Sequence, residues 1–347
     1  MSDSPETDSI RGLAIDETAL ATYLTGRVPE LVPPISVRRF AGGQSNPTYR
    51  IDSQRRSFVL RRQPPGPLLA SAHAVDREFR VLAALGRMNT IPVPRVYLYC
   101  DDHEVIGTPF YIMDLVVGRN FWDARLPEVP LEQRRACYRS MIEVLAGLHG
   151  ADTEALGLGD YGRPGNYFQR QIQRWTRQYQ ESPDAGRVPA MEALIEWLPV
   201  NIPANDEVSI VHGDYRCDNM IFHPEEPRVV AVLDWELSTL GHPLADLGYH
   251  LLPYRMPTLG VTGMLGTDFA THGLPTEGEY VAWYCELTGR EQIEQLDFYV
   301  AFSLFRLAAI FHGIRGRLIR GTSVSSRARE YASVVDEVAD LALAQVG

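Results

Sequence analysis

VHGDYRCDNMIF at residues 211–222, followed by VVAVLDWE at residues 229–236, is the stretch on which the reading of this chain turns. Val208 and Ile210 alternate into a His-Gly-Asp turn, and Met220 to Phe222 with Val229 to Leu233 reads as a short hairpin ending at Asp234. Two such strands bring Asn219 and Asp234 together, with Asp214 on the preceding turn.

These residue types suit phosphoryl transfer, in which a protein mostly positions groups and neutralises charge. Asp214 supplies a carboxylate for the attacking hydroxyl. An amide oxygen from Asn219 and a carboxylate from Asp234 suit Mg²⁺, a hard ion that takes few protein ligands and keeps several waters. His212 is expected to brace the loop by hydrogen bonds, because Asp214 already fills the role of base. A His-Gly-Asp turn alone is common, since Asp and Asn beside Gly ordinarily just make turns. The Asn at its set offset and the strand-borne Asp distinguish this one, following the catalytic-loop and metal-aspartate pattern of kinases.

Further motifs are LDWELSTLGHPLADLGY (233–249), FAGGQSNPTYRI (40–51), VLRRQPPG (59–66) and GRPGNYFQRQIQRW (162–175). With them the chain resembles the aminoglycoside phosphotransferase and choline kinase group, and within it the kinase domains found alone or joined to acyl-CoA dehydrogenases. The resemblance covers nearly the whole chain after about residue 15. It implies an α+β, protein-kinase-like two-lobed fold. A small N-terminal nucleotide-binding lobe with an antiparallel sheet would span residues 1–115, and a larger, mainly helical catalytic and acceptor-binding lobe residues 116–347. It also implies ATP and Mg²⁺ as cofactors, Asp214 as catalytic base, Asn219 and Asp234 as magnesium ligands, and Asp246 as the residue that pins the catalytic loop from the following helix.

The acceptor so implied is a small-molecule hydroxyl, in particular that of a 4-hydroxyacyl-CoA, with an acyl-CoA dehydrogenase as working partner. Aminoglycosides or another metabolite are alternatives on the same fold. Two readings lie outside this class. One is a catalytically silent kinase fold that binds nucleotide. The other is a hydrolase metal centre built from His212, Asp214, Asp234 and His242.

Composition is compatible with this reading. A length of 347 residues, 45% hydrophobic and 22% charged, supports a sizeable core. A net charge of −11 argues against a general nucleic-acid surface. Cys100, Cys137, Cys217 and Cys285 lie far apart and form no CxxC pair, as expected of reduced thiols in a cytoplasmic protein. MSDSPETDSI has no basic-then-apolar leader, and no uninterrupted apolar run approaches the ~18 residues of a membrane span.

Along the chain, residues 1–14 are expected to be disordered, and Asp16 to cap a helix carrying Leu20, Tyr23 and Leu24. Ser36 to Phe40, Thr48 to Ile51 and Ser57 to Arg61 read as antiparallel strands. Gly42 and Gly43, followed by Gln44, Ser45 and Asn46, let backbone N–H groups approach phosphates, although a Gly-Gly hairpin turn needs no ligand. Arg61 takes the place where kinases carry a strand lysine, and Arg62 competes for it. The resemblance makes Glu78, on a helix with Val75, Phe79, Leu82 and Leu85, the expected ion-pair partner, where an acidic residue on an amphipathic helix is ordinarily just exposed.

By the resemblance, PFYIMDL is a strand leading to an adenine-binding connection near Asp114 to Val116, while the residues themselves fit an ordinary buried strand equally well. Apolar stripes predict helices from Leu131 to about His149, and over Tyr280 to Thr288, Asp297 to Arg315 and Ser326 to Leu343. In the segment after GRPGN, Phe168, Ile172, Trp175 and Tyr179 form a packing stripe, while Arg170, Arg174 and Arg177 form a basic one. Arg170, Arg174 and Arg216 are candidate contacts to an anionic acceptor, against the ordinary alternative of a solvated charged face.

Overall fold

The computed structural model describes residues 13–40, 46–66, 73–88, 90–322 and 327–347. Of the segment expected to be disordered, residues 1–12 lie outside the described residues. The chain divides into two compact units. The first comprises Met1–Asn120, Ile221–Pro224 and Val230–Glu236, and the second Phe121–Met220, Glu225–Val229 and Leu237–Gly347. Residues beyond 115 join the first unit because Arg119 and Phe222 exchange both backbone hydrogen bonds at 2.8 Å. The Val232 N–H likewise donates to the Pro92 carbonyl at 2.8 Å.

In the first unit, helix α1 (Glu17–Leu24) begins where the Asp16 carboxylate accepts the Thr18 and Ala19 N–H groups at 2.9 and 3.0 Å. Strands β1 (Ser36–Arg39), β2 (Thr48–Asp52), β3 (Ser57–Arg62), β4 (Val96–Cys100) and β5 (Phe110–Asp114) form one antiparallel sheet in the order β1-β2-β3-β5-β4. Period-two alternation sends Tyr49, Ile51, Phe58, Leu60 and Ile112 into a core shared with Leu20 and Leu24 of α1. Helix α2 (Val75–Leu85) buries Val75, Leu82 and Leu85 and also Glu78, a carboxylate that must find partners there. A short helix, α3 (His103–Ile106), links β4 to β5.

The second unit is mainly helical. It contains α4 (Leu131–His149), α5 (Tyr167–Gln180), α6 (Pro189–Val200), α7 (Pro243–His250), α8 (Leu252–Arg255), α9 (Glu277–Thr288), α10 (Leu296–Ile319), α11 (Ala328–Ser333) and α12 (Val335–Ala344). Strand β6 (Ser209–Val211) pairs antiparallel with β9 (Thr239–Gly241). Strand β7 (Met220–Phe222) pairs with β8 (Val229–Val232), and residues 221–222 and 230–232 of this pair belong to the first unit. The single helix expected over 326–343 is two, α11 and α12, parted at Val334. The Arg315 Nε–H takes the Ala332 carbonyl at 2.9 Å and so withdraws it from the helical ladder. Helix α10 packs against α5, α7 and α12. By length and composition it could cross a membrane, but 83% of its apolar window is buried inside the protein, the pattern of a core helix.

Candidate active site

In the second unit the turn after β6 is built around Gly213, whose φ of +85° is a left-handed conformation that glycine adopts freely. A Cβ there would stand 2.8 Å from the Leu237 carbonyl oxygen. Asp246 reaches this turn from α7. Its Oδ2 accepts the His212 N–H at 2.6 Å and its Oδ1 the Gly213 N–H at 2.8 Å. Burial pushes the Asp246 carboxyl up, but His149, His212 and the Gly213 N–H together hold it below the usual carboxylate range. His212 Nδ1 accepts the Asp214 N–H at 3.1 Å, so the histidine braces the loop.

Asn219 Nδ2 donates to Asp214 Oδ2 at 2.8 Å and to the Asp214 carbonyl at 2.9 Å. With its amide nitrogen committed, the Asn219 Oδ1 is left without a donor among the described residues. Burial raises the Asp214 carboxyl, yet the charges of Arg216 and Arg306 and the Tyr249 hydroxyl hold it below its ordinary value. The turn therefore presents an ionised carboxylate.

Beside this loop lies a narrow cavity of about 40 Å³. Trp122, Tyr138, Met141, Tyr249, Tyr254 and Met264 form much of its wall. Among the described residues Asp218 is the only carboxylate on that wall, and it forms an ion pair with Arg216. Arg216 Nε also stands 3.5 Å from Asp214 Oδ1. Tyr249 and Arg306 escape sequence reasoning as site residues. Tyr249 closes the quoted LADLGY run without a distinguishing signal, whereas Arg306 left one, as the lone Asp, Glu, Lys or Arg between Asp297 and Arg315.

In the first unit Arg61 and Arg62 part ways, because neighbouring strand residues face opposite sides. Arg61 Nε stands 2.9 Å from Glu78 Oε2, and its Nη2 stands 2.7 Å from Asp234 Oδ1 and 3.3 Å from Glu236 Oε2. Arg62 instead donates to Thr108 Oγ1 and the Ile106 carbonyl, each at 2.8 Å. Glu78 accepts hydrogen bonds from Asn46 Nδ2 at 2.6 Å and the Tyr111 hydroxyl at 3.0 Å. Gly43, Gln44 and Ser45 lie outside the described residues.

Asp234 has φ +64°, a left-handed conformation sparsely used by non-glycine residues and met at functional turns. The Asp114 side chain is tied to Arg56 and Tyr97. The Val116 backbone makes no hydrogen bond among the described residues and is open to main-chain recognition. The sequence contains no lysine, and all 33 cationic residues are arginine. Arginine at position 61 thus follows a chain-wide composition and is no mark of a disabled site.

Arg170 folds back onto the carbonyls of Gly165 and Arg163, bracing the loop before its own helix. Arg174 lies over the Trp175 ring at 5.0 Å. The hydrolase metal centre fails on geometry. Among the described residues no three His, Cys, Asp or Glu side chains group to hold a metal. Both ring nitrogens of His242 are engaged, with the Asn205 carbonyl and the Leu244 N–H.

Residues 36–280 match the profile of the phosphotransferase enzyme family. A Ralstonia eutropha protein solved as a candidate aminoglycoside phosphotransferase is 44% identical, covers 96% of this chain and 98% of its own, and superposes with a TM-score of 0.88. A thermostable mutant of aminoglycoside phosphotransferase APH(4)-Ia, solved with ADP and hygromycin B, shares the fold at 16% identity and TM-score 0.61, over 95% and 98% of the two chains. Mouse acyl-CoA dehydrogenase family member 10 is 42% identical over 97% of this chain, and human family member 11 is 40% identical over 94%. The chain spans only 32% and 42% of those two proteins.

Proposed function

This chain belongs to the phosphotransferase enzyme family, and within that kinase-type activity we propose that it transfers the γ-phosphoryl group of ATP to the hydroxyl of a 4-hydroxyacyl-CoA. The observation that carries the reading is the Asp214 turn, pinned by Asp246 and held at its carboxylate by Asn219, next to an apolar, aromatic cavity. Asp214 orients the alcohol and takes its proton as the oxygen bonds to the γ-phosphorus and the bond to the β-phosphate oxygen breaks, releasing ADP. The phosphorylated carbon then carries a good leaving group where it had a poor one.

The proposed metal donors are the unpaired amide oxygen of Asn219 and the Asp234 oxygen that Arg61 does not hold. Few protein ligands are what Mg²⁺ requires, and when bound it neutralises phosphate charge. Arg61, fixed by Glu78, is assigned to the phosphates, and the Val116 backbone to adenine. Nucleotide in the APH(4)-Ia complex supports the first substrate.

The cavity supports the second. A polycationic aminoglycoside calls for unpaired carboxylates, and the one on this wall is already neutralised by Arg216. The names of the 40–42% identical relatives point the same way and suggest an acyl-CoA dehydrogenase as partner.

The test is ATP turnover with Mg²⁺ against a panel of 4-hydroxyacyl-CoAs and aminoglycosides, followed by acceptor mass. A phosphoryl gain confined to the hydroxyacyl-CoAs is expected. Gain on an aminoglycoside alone overturns the acceptor. Nucleotide binding without transfer to any acceptor would favour a silent nucleotide-binding module.

A further inference from the structure

Arg306 sits in the middle of α10, only 8% exposed, among Leu304, Phe305, Leu307 and Ala308. Among the described residues no carboxylate pairs with it, and its Nε is buried without an acceptor. A buried guanidinium with no carboxylate in ion-pair contact is costly even though the Asp214 carboxylate feels its charge, and methionine would pack here more easily. Its contacts show what the charge does. One terminal N–H donates to the Gly213 carbonyl, and its Cζ lies 5.0 Å from the Tyr249 ring centroid.

The peptide between Gly213 and Asp214 is thereby gripped at both ends. Its carbonyl accepts from Arg306, and its N–H donates to His212 Nδ1 at 3.1 Å. The preceding peptide is held by Asp246 through the Gly213 N–H. Glycine at φ +85° leaves the plane that follows free to rotate unless something outside the turn holds it. That plane sets the direction in which the Asp214 side chain leaves the backbone. The same guanidinium steadies Tyr249, which lines the cavity within hydrogen-bonding reach of Asp214.

We propose that Arg306 is a positioning residue for phosphoryl transfer, clamping the Gly213 carbonyl and the Tyr249 ring so that Asp214 faces the acceptor. This rests on the reading of Asp214 as base, and the variants below separate the two.

The experiment compares Arg306→Met, Arg306→Lys and Asp214→Asn, using γ-labelled ATP with a 4-hydroxyacyl-CoA and with water as acceptors, together with melting curves. Misplacing a catalytic group by about an ångström can cost about 10²-fold. Arg306→Met is therefore expected to lower kcat about 10–100-fold, with both KM values within about twofold and the melting midpoint unchanged or raised. Arg306→Lys, which can still donate to the Gly213 carbonyl, is expected to regain part of the loss, and it carries the test if the methionine variant does not fold. Unchanged kcat in Arg306→Met, KM values that rise in step with the loss, or a lysine variant no better than methionine each overturns the proposal. Full turnover by Asp214→Asn, or none by the unaltered chain on either acceptor, overturns the base reading and this inference with it.

Discussion

Asp246 Oδ1 stands 2.8 Å from the Gly213 amide nitrogen, so α7 holds in place the turn that precedes Asp214. A buried carboxylate that accepts two backbone N–H groups is a rigid anchor, and it converts a permissive glycine into a fixed one.

Asp246→Asn should lower both stability and turnover. The amide keeps the shape but turns one acceptor into a donor facing the His212 or Gly213 N–H, which costs about 1–3 kcal/mol. Urea unfolding of the two proteins checks it, and equal midpoints would remove Asp246 from the anchoring role.

The same residue predicts an acid limit. The folded-state pKa of Asp246 lies below its unfolded value, so its stabilisation is fully present above an unfolded pKa of about 3.9. It is lost as pH falls through the folded value. The stability gap between the parent and Asp246→Asn should therefore be flat from pH 7 to about 5 and close below about pH 4. A gap that widens on acidification contradicts the assignment.

Removing Arg61 strands a buried carboxylate. Arg61→Met leaves Glu78, 1% exposed, with only Asn46 and Tyr111 as donors among the described residues, and loss of one partner of a buried pair costs about 3–5 kcal/mol. Arg61→Lys should recover much of the stability and nucleotide affinity, because a point charge still pairs with Glu78. Calorimetric melting and nucleotide titration report the two effects.

Asp214→Asn should reduce turnover about 10²–10⁴-fold with nucleotide affinity largely retained, the range for losing a general base. A near-normal rate in a steady-state assay would exclude Asp214 as the base.

Val261 lines the aromatic cavity, and if the proposed hydroxyacyl-CoA is the acceptor, Val261→Phe should shorten the acyl chain that is phosphorylated while leaving the KM for ATP unchanged. A chain-length profile identical to the parent's would show that the acceptor's apolar part lies elsewhere.

Several elements were legible because their signals are local. Asp16 as a helix cap and the alternation of β2 and β3 follow from side-chain chemistry and period, whereas the Arg61–Glu78 pairing, found at 2.9 Å, was legible only through the resemblance to kinases. The break at Val334 was not legible, because the Arg315 side chain that takes the Ala332 carbonyl comes from another helix. Which of two adjacent arginines faces Glu78 also depended on which face of the sheet α2 covers, through its packing on β4 and β5.

The sequence by itself determined the family and the chemistry available, because spacing within 211–236 and the choice of Asp, Asn and Gly are read over short distances along the chain. Only the tertiary structure decided how those groups are held. Asp246, His149, Tyr249 and Arg306 reach the Asp214 turn from outside 211–236, and a hydrogen bond between residues 93 positions apart leaves no periodic trace. Burial supplied the rest, since the same arginine that would be an ordinary solvated charge on a surface helix becomes, inside α10, a group obliged to find a carbonyl.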